Sequence, residues 1–345
     1  LKAVQLYGHG GGEQLRYGDT DAPQLASATD AIVKLKAAAV NHHDLSIRRG
    51  TRHTGVALPH VLGSDGAGTV VAIGNQVKNL RLGDNVCLYP SRACGECEFC
   101  ATDREFRCMQ MHLLGERENG TYGQYISVPA RNCLPIPNGF SFEEAAAFPL
   151  SFASAWRMLI SNAEIKPGES VFILGIGGGV ATAALQLATH LGAHVIVTSG
   201  SDEKLAEALS YGAEHGVNHR KADLAKDIRS FTNKRGVDVV VDNIGGEYRA
   251  KSLASLAKGG RLVSCGTVAG AHPPTDLRRI FWNHLKVFGS TVGSRAEFSQ
   301  VLNFISVTQS KPIIDRVFPL KDAAQAQQRL EEGKQFGKIV LRTDS

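Results

Sequence analysis

The chain has 345 residues, more than one hydrophobic core usually serves, which suggests two domains. Hydrophobic residues make up 43% and charged residues 21%, ordinary for a globular protein, and the net charge of +5 is scattered along the chain. No basic block or aromatic-basic interleaving points to nucleic acid, and no stretch reaches the roughly 18 apolar residues of a membrane span.

The opening residues Leu1 to Tyr7 read as a strand and lack the apolar core of a signal peptide. Short β-like runs follow at Ala31–Leu35, Gly68–Ile73, Asn85–Leu88 and Tyr125–Val128, punctuated by Gly, Pro and Asn. They predict an irregular, mostly antiparallel β domain.

Within it lies the run Cys94-Gly-Glu-Cys97-Glu-Phe-Cys100, continuing to Cys108, with spacing C-x2-C-x2-C-x7-C. Four thiolates this close can surround one zinc ion, at Zn–S distances of about 2.3 Å. Paired disulfides or four unrelated thiols are the alternatives, and a metal lobe fits three close-set cysteines plus a fourth better. Four thiolates leave no open coordination position, so the zinc is structural and does not reveal the reaction. The other cysteines, Cys87, Cys133 and Cys265, sit in apolar runs and are expected to be buried and inert. This cysteine usage fits a reducing compartment, and a cytoplasmic protein is expected.

The pattern changes near Ser141. Ser141-Phe-Glu-Glu144 has the form of a capping box, ahead of a helix through Ala145–Ala147 and another over Ser151–Ile160. Strands and helices then alternate: strand Val171–Leu174, helix Val180–Leu191, strand His194–Thr198, helix Asp202–Tyr211, and strands Val237–Asp242 and Arg261–Cys265. That alternation predicts a doubly wound parallel sheet, and hence an α/β fold. A helix at Lys321–Gly333 and a strand at Lys338–Leu341 close the chain.

Gly175, Gly177, Gly178 and Gly179, with Val180, stand between a predicted strand and a predicted helix. Glycines let the backbone approach a pyrophosphate, and the helix N-terminus offers free N–H groups. NAD-binding folds carry an acid at the end of the next strand. Here that strand ends in Thr198-Ser199, and the first acids, Asp202 and Glu203, open the following helix. Ser199, Ser201, Lys204 and His219 are therefore candidates to hold a 2′-phosphate, and NADPH is the expected cofactor. A solvated helix lysine is the plain alternative for Lys204.

Together these features resemble the medium-chain dehydrogenase/reductase superfamily, its zinc-type alcohol dehydrogenase and quinone reductase group. The resemblance spans the chain. It includes Gly63-Ser-Asp-Gly-Ala-Gly68, Arg81-Leu-Gly-Asp-Asn-Val86, the cysteine lobe, Gly120-Thr-Tyr-Gly-Gln-Tyr125, the glycine-rich turn and Gly337-Lys-Ile-Val-Leu341. It implies a GroES-like β-rich substrate domain (1–150 and 292–345) split around a Rossmann domain (151–291), with the active site in the cleft between them. It also implies a homodimer or homotetramer, with 286–292 a contact edge. By the same correspondence Asn243, Gly266, Thr267, Gly289 and Ser290 border the nicotinamide. Phe281 and Trp282 either line the substrate cleft or pack a subunit contact.

The departures carry the function. The family's catalytic zinc ligands correspond to Asn41, Ser64 and Leu150, none of them a normal zinc ligand. Without a Lewis acid, reducing an activated C=C or quinone is easier than removing an alcohol proton. The expected substrate is thus a small carbonyl-conjugated acceptor. Asn41 is a candidate amide donor, His43 a candidate proton donor, and Asp44 a candidate to orient one of the adjacent histidines. The plain alternatives are turn residues for Asn41 and Asp44, and surface or core-satisfied histidines for His42 and His43. Two other functional readings stand: an alcohol dehydrogenase or aldehyde reductase whose zinc uses substitute ligands from His42, His43, His60 or Asp65, and an NADPH-binding regulatory protein.

Overall fold

A computed structural model describes residues 1–51, 55, 57–221 and 223–343. The loop residues Arg52 to Leu58, which the sequence does not position, lie largely outside them. The chain forms two compact units, Leu1–Leu150 with Ser294–Ser345, and Ser151–Gly293.

The first unit is β-rich. Among the described residues its main sheet has seven strands, six of them in the order Cys133–Pro135, Asn85–Leu88, Asp65–Ile73, Asp30–Ala39, Lys338–Arg342 and Ile314–Pro319. Tyr125–Pro129 also pairs with Asp30–Ala39. Alternating apolar positions bury one face: Ala31, Val33, Leu35, Val70, Val86, Leu88, Ile126 and Val128 form one core. The closing strand Lys338–Arg342 runs antiparallel to Asp30–Ala39, with Val340 opposite Ala39. Asp65 lies opposite Ala39 on the other flank. This register directs residues 338, 41 and 65 to one place, at the start of the His42–Arg48 helix.

The second unit is a parallel sheet in the order His215–Asn218, His194–Ser199, Ser170–Ile173, Val237–Asp242, Leu256–Ser264, Lys286–Gly289. Its strands are near-continuous apolar runs, such as Val171, Phe172 and Ile173, all fully buried. The Gly179–His190 helix presents Ala181, Ala184, Leu185 and Ala188 inward. Two segments differ from the sequence pattern. The helix from Pro149 ends its α-form at Trp156 and widens to π-turns over Arg157–Asn162, and the strand ending at Ser264 begins earlier, at Leu256. The Ser141–Glu144 capping box is present, with Glu144 N–H donating to Ser141 Oγ at 3.2 Å. Among the described residues no helix is long and apolar enough to cross a membrane.

Candidate functional site

Three groups of predicted residues are placed by the structure. The first is the cysteine lobe. Cys94, Cys97, Cys100 and Cys108 bring their sulfurs within 4.8 Å of one another, with Cys94 to Cys100 at 3.7 Å and Cys108 to Cys94 at 3.6 Å. Tetrahedral Zn–S bonds of about 2.3 Å require sulfurs about 3.8 Å apart, so four thiols in this arrangement fit one structural zinc. Backbone N–H groups of Glu96 and then Cys97 pull the Cys94 thiol down to about 6, which favours the thiolate a metal needs. By contrast, burial pushes the Cys133 and Cys265 thiols up to about 12, and Cys87 higher still. Cys87 and Cys133 are buried, as expected, whereas Cys265 is only half-buried; the upward shifts hold all three as thiols rather than nucleophilic thiolates.

The second group lies at the carboxyl edge of the parallel sheet. Gly175 (φ +62°) turns tightly, and a Cβ there would meet Ile244 Cδ1 at 2.6 Å. Gly178 caps the Gly179–His190 helix without a side chain, so Gly177, Gly178 and Gly179 present bare backbone ahead of Val180 in the first helical turn. Asn243 follows strand Val237–Asp242, and its buried Oδ1 has no protein partner. A Cβ on Gly266 would come within 2.2 Å of Asn243 O. Thr267 follows Gly266, while Gly289 ends its strand and Ser290 N–H donates to Ser264 O at 2.8 Å. A cavity of about 480 Å³, lined in part by Asp242, Ser264, Gly266 and Thr267, opens at this edge. An orphaned buried oxygen beside a glycine cradle fits a dinucleotide.

Ser199 ends its strand, buried, and its Oγ accepts Ser201 N–H at 3.2 Å. Ser201 is the N-cap of Asp202–Ser210, accepting from Lys204 N–H at 3.3 Å and donating to Glu203. Asp202 and Glu203 do sit in the first helical turn. His219 Nδ1 lies 3.1 Å from Thr198 Oγ1, its ring edge-on to Tyr248. Sequence reasoning missed Arg220. Its guanidinium Nε stands 2.7 Å from where a Gly200 Cβ would be, directly on the turn after Ser199.

The third group lies in the first unit. The positions of Asn41, Ser64 and Leu150 converge. Asn41 Nδ2 donates to Asp65 Oδ2 at 2.9 Å and lies 3.3 Å from Ser64 Oγ, while Leu150 N–H donates to Asp65 Oδ1 at 2.8 Å. At their centre is Lys338, whose side chain is 4% exposed. Its Nζ donates to Asn41 Oδ1 at 2.5 Å, Asp65 Oδ2 at 2.9 Å and Val40 O at 3.2 Å. Three acceptors take its three protons, which is what a buried ammonium requires. The hint in the sequence was a lysine opening an otherwise apolar strand, Lys338-Ile-Val-Leu341.

The expectation that Asp44 orients a histidine gives way here. Asp44 faces inward, accepting Asn41 N–H at 2.9 Å and the Tyr122 hydroxyl at 2.8 Å. As the third residue of its helix it closes a capping box, so its carboxylate is drawn back to the helix start. Burial raises Asp44 to about 7, against the opposing pull of those two donors. The carboxylate beside His43 is instead Glu116, with Oε2 at 3.6 Å from Nε2. His60 Nε2 lies 2.9 Å from Gly115 O.

The description "Alcohol dehydrogenase GroES-like domain" matches residues 27–138, and "Zinc-binding dehydrogenase" matches 179–307. A zinc-type alcohol dehydrogenase-like protein of Schizosaccharomyces pombe is 34% identical, over 97% of this chain and 96% of that protein. The chain belongs to the medium-chain dehydrogenase/reductase superfamily. It is an oxidoreductase of that type. An NAD-dependent alcohol dehydrogenase of Sulfolobus acidocaldarius is 33% identical over 99% of both chains, and human quinone oxidoreductase is 26% identical over 99% and 97%. A crystal structure titled NAD-dependent alcohol dehydrogenase superposes with a TM-score of 0.95 at 38% identity, covering 99% of this chain and all of that one. Members of this superfamily thus share the two-unit fold found here.

Two predictions follow from the buried cluster. Lys338→Met strands the Asp65 charge and should lower stability by about 3 kcal/mol. Adding Asp65→Leu should recover part of that loss, measured by urea denaturation as a double-mutant cycle. For Asp44, the folded state holds a proton that the unfolded state releases between pH 3.8 and about 7. Its contribution to stability is therefore greatest below that window and is lost as pH rises through it. Asp44→Asn should flatten the wild-type decline in denaturation midpoint between about pH 4 and about pH 7.

Proposed function

We propose that this chain is an NADPH-dependent reductase of quinones, enones and similar carbonyl-conjugated acceptors, working without a catalytic zinc. The observation that carries this reading is Lys338, an ammonium held against Asn41 and Asp65 where the family's zinc ligands would converge. A divalent ion there would meet a fixed positive charge and ligands already bonded to one another. The alcohol dehydrogenase reading draws on the names of several relatives, but two of the four substitute ligands it would draw on are committed: Asp65 to Lys338, and His60 to Gly115 O.

When bound, the dinucleotide supplies a hydride to the acceptor's electron-poor carbon. The protein holds the cofactor's phosphates on the Gly175–Gly179 turn and the helix that follows. His43 delivers the proton that completes reduction. Asn41 is a positioning residue in this scheme, since its amide hydrogens and oxygen are engaged by Asp65 and Lys338. For NADPH, the support is the absence of an acid at Ser199 and the Arg220 guanidinium beside Gly200. The second unit also leaves the Lys286–Gly289 edge strand open beside Phe281 and Trp282, which are 63% and 71% exposed. This supports assembly into a homodimer or homotetramer.

Elemental analysis of protein purified without added metal should find about one zinc per chain, with NADPH oxidation by naphthoquinone or cyclohexenone surviving a chelator that spares the thiolate site. About two zincs, and alcohol oxidation lost on chelation, would put the alcohol dehydrogenase reading first. Arg220→Ala should raise KM for NADPH about tenfold and leave KM for NADH within about twofold. Equal changes for both cofactors would show that the 2′-phosphate is not held there.

A further inference from the structure

Glu116 is a nearly buried carboxylate that the proposed mechanism does not use. The Glu116 side chain is 7% exposed and that of His43 9%, and Glu116 Oε2 lies 3.6 Å from His43 Nε2, within ion-pair range. The two residues are far apart in sequence and come from different elements. His43 sits in the first turn of His42–Arg48, and Glu116 follows the short strand His112–Leu113 beyond the cysteine lobe.

The loop that carries Glu116 is firmly held. Leu114 N–H donates to Pro90 O at 2.9 Å, Glu116 N–H to Leu113 O at 3.1 Å, and Glu116 Oε2 accepts Leu113 N–H at 3.0 Å. His60 fixes Gly115 O from the side. Gly115 is at φ +75°, and a Cβ there would lie 2.6 Å from Gly63 O, so the loop is pressed against the Gly63 backbone. These constraints fix the carboxylate in place before any ligand arrives.

We infer that Glu116 is the positioning residue of a carboxylate–imidazole pair, orienting His43 through Nε2 and favouring its protonated form, so that the other ring nitrogen donates the proton. A negative charge this close, with little water between, raises the proton affinity of an imidazole. The inference rests on the reading of His43 as proton donor. Among the described residues, other charged groups on these elements have partners of their own. On the same helix Asp44 turns to Tyr122, while Arg48 and Arg49 pair with Glu331 of the Ala323–Glu331 helix. Lys338 and Asp65 engage Asn41. On the loop side, Arg92 and His112 pair with Glu118, and Arg117 and Glu116 both act on His112.

The test uses the full chain with NADPH and naphthoquinone, comparing wild type with Glu116→Gln, Glu116→Asp and Glu118→Gln. If His43 must be protonated, kcat falls as pH rises through its pKa. Removing the Glu116 charge should move that fall to lower pH by about one pH unit. Glu116→Asp, which keeps the charge on a shorter arm, should move the fall in the same direction by a smaller amount, Glu118→Gln should leave it in place, and KM for NADPH should change less than about twofold. The same proteins, labelled with nitrogen-15 histidine, give the His43 titration by NMR, assigned with His43→Gln. A His43 titration that is unmoved in Glu116→Gln overturns the pair, whether or not any acceptor is turned over. A shifted titration with an unshifted kcat profile leaves the pair standing and removes His43 as proton donor. Should Glu116→Gln not fold, Glu116→Asp with the same NMR titration decides the point, since shortening the carboxylate arm must weaken its hold on His43.

Discussion

The ammonium of Lys338, buried against Asp65 and Asn41, is the interaction on which the first unit depends. Taking a lysine charge out of water is costly unless the charge is paired and every proton has an acceptor. Here Asp65, Asn41 and the Val40 carbonyl meet that requirement. The requirement also ties the chain together, because these groups come from its beginning and its end. The closing strand must pair with Asp30–Ala39 in the observed register, or the charge is left unpaired. Asp65 reaches further still, taking the Leu150 N–H as well, at the last residue of the unit's first segment. The cluster thus fixes both the register of the sheet and the geometry around Asn41.

The same cluster supports the proposal that this member of a zinc-binding family works without a metal at this point. Where a zinc ion would neutralise a ring of anionic ligands, this chain has one anion, one neutral amide and one fixed cation. Their charges balance without an added ion, and their hydrogen bonds are satisfied. Among the described residues the metal-fitting cluster is the four cysteines, where the raised acidity of the Cys94 thiol and the sulfur spacing suit a closed structural site. That lobe has a second consequence, because the chain leaving Cys108 goes on to form the pinned loop that holds Glu116 against His43.

The sequence was most legible where local rules are strong. The capping box at Ser141, the strand Asn85–Leu88 and the strand Val237–Asp242 were readable because apolar period and turn residues mark their ends. The four-cysteine lobe was readable because its ligands lie close together in sequence. The glycine-rich turn was readable because both its flanks announce themselves. Asp44 was harder. Its proximity to two histidines suggested a partnership, but a residue at the third helical position is placed to bond back to the helix start, and it did so. Arg220 was overlooked because nothing local distinguishes a cation after a strand from a solvated one; only the packing of adjacent strands sets it on Gly200.

By itself the sequence determined the two kinds of unit, the metal-fitting lobe, the phosphate-fitting turn and the replacement of the expected zinc ligands. Each of these is written in short spacings, because helix and strand periods, turn chemistry and chelation act over a few residues. The tertiary structure alone decided which residues share a buried charge. Lys338 meets Asn41 and Asp65, and Glu116 meets His43, across separations no local pattern encodes. The physical reason is that desolvated charges are satisfied through space, and only the folded register brings their partners within reach.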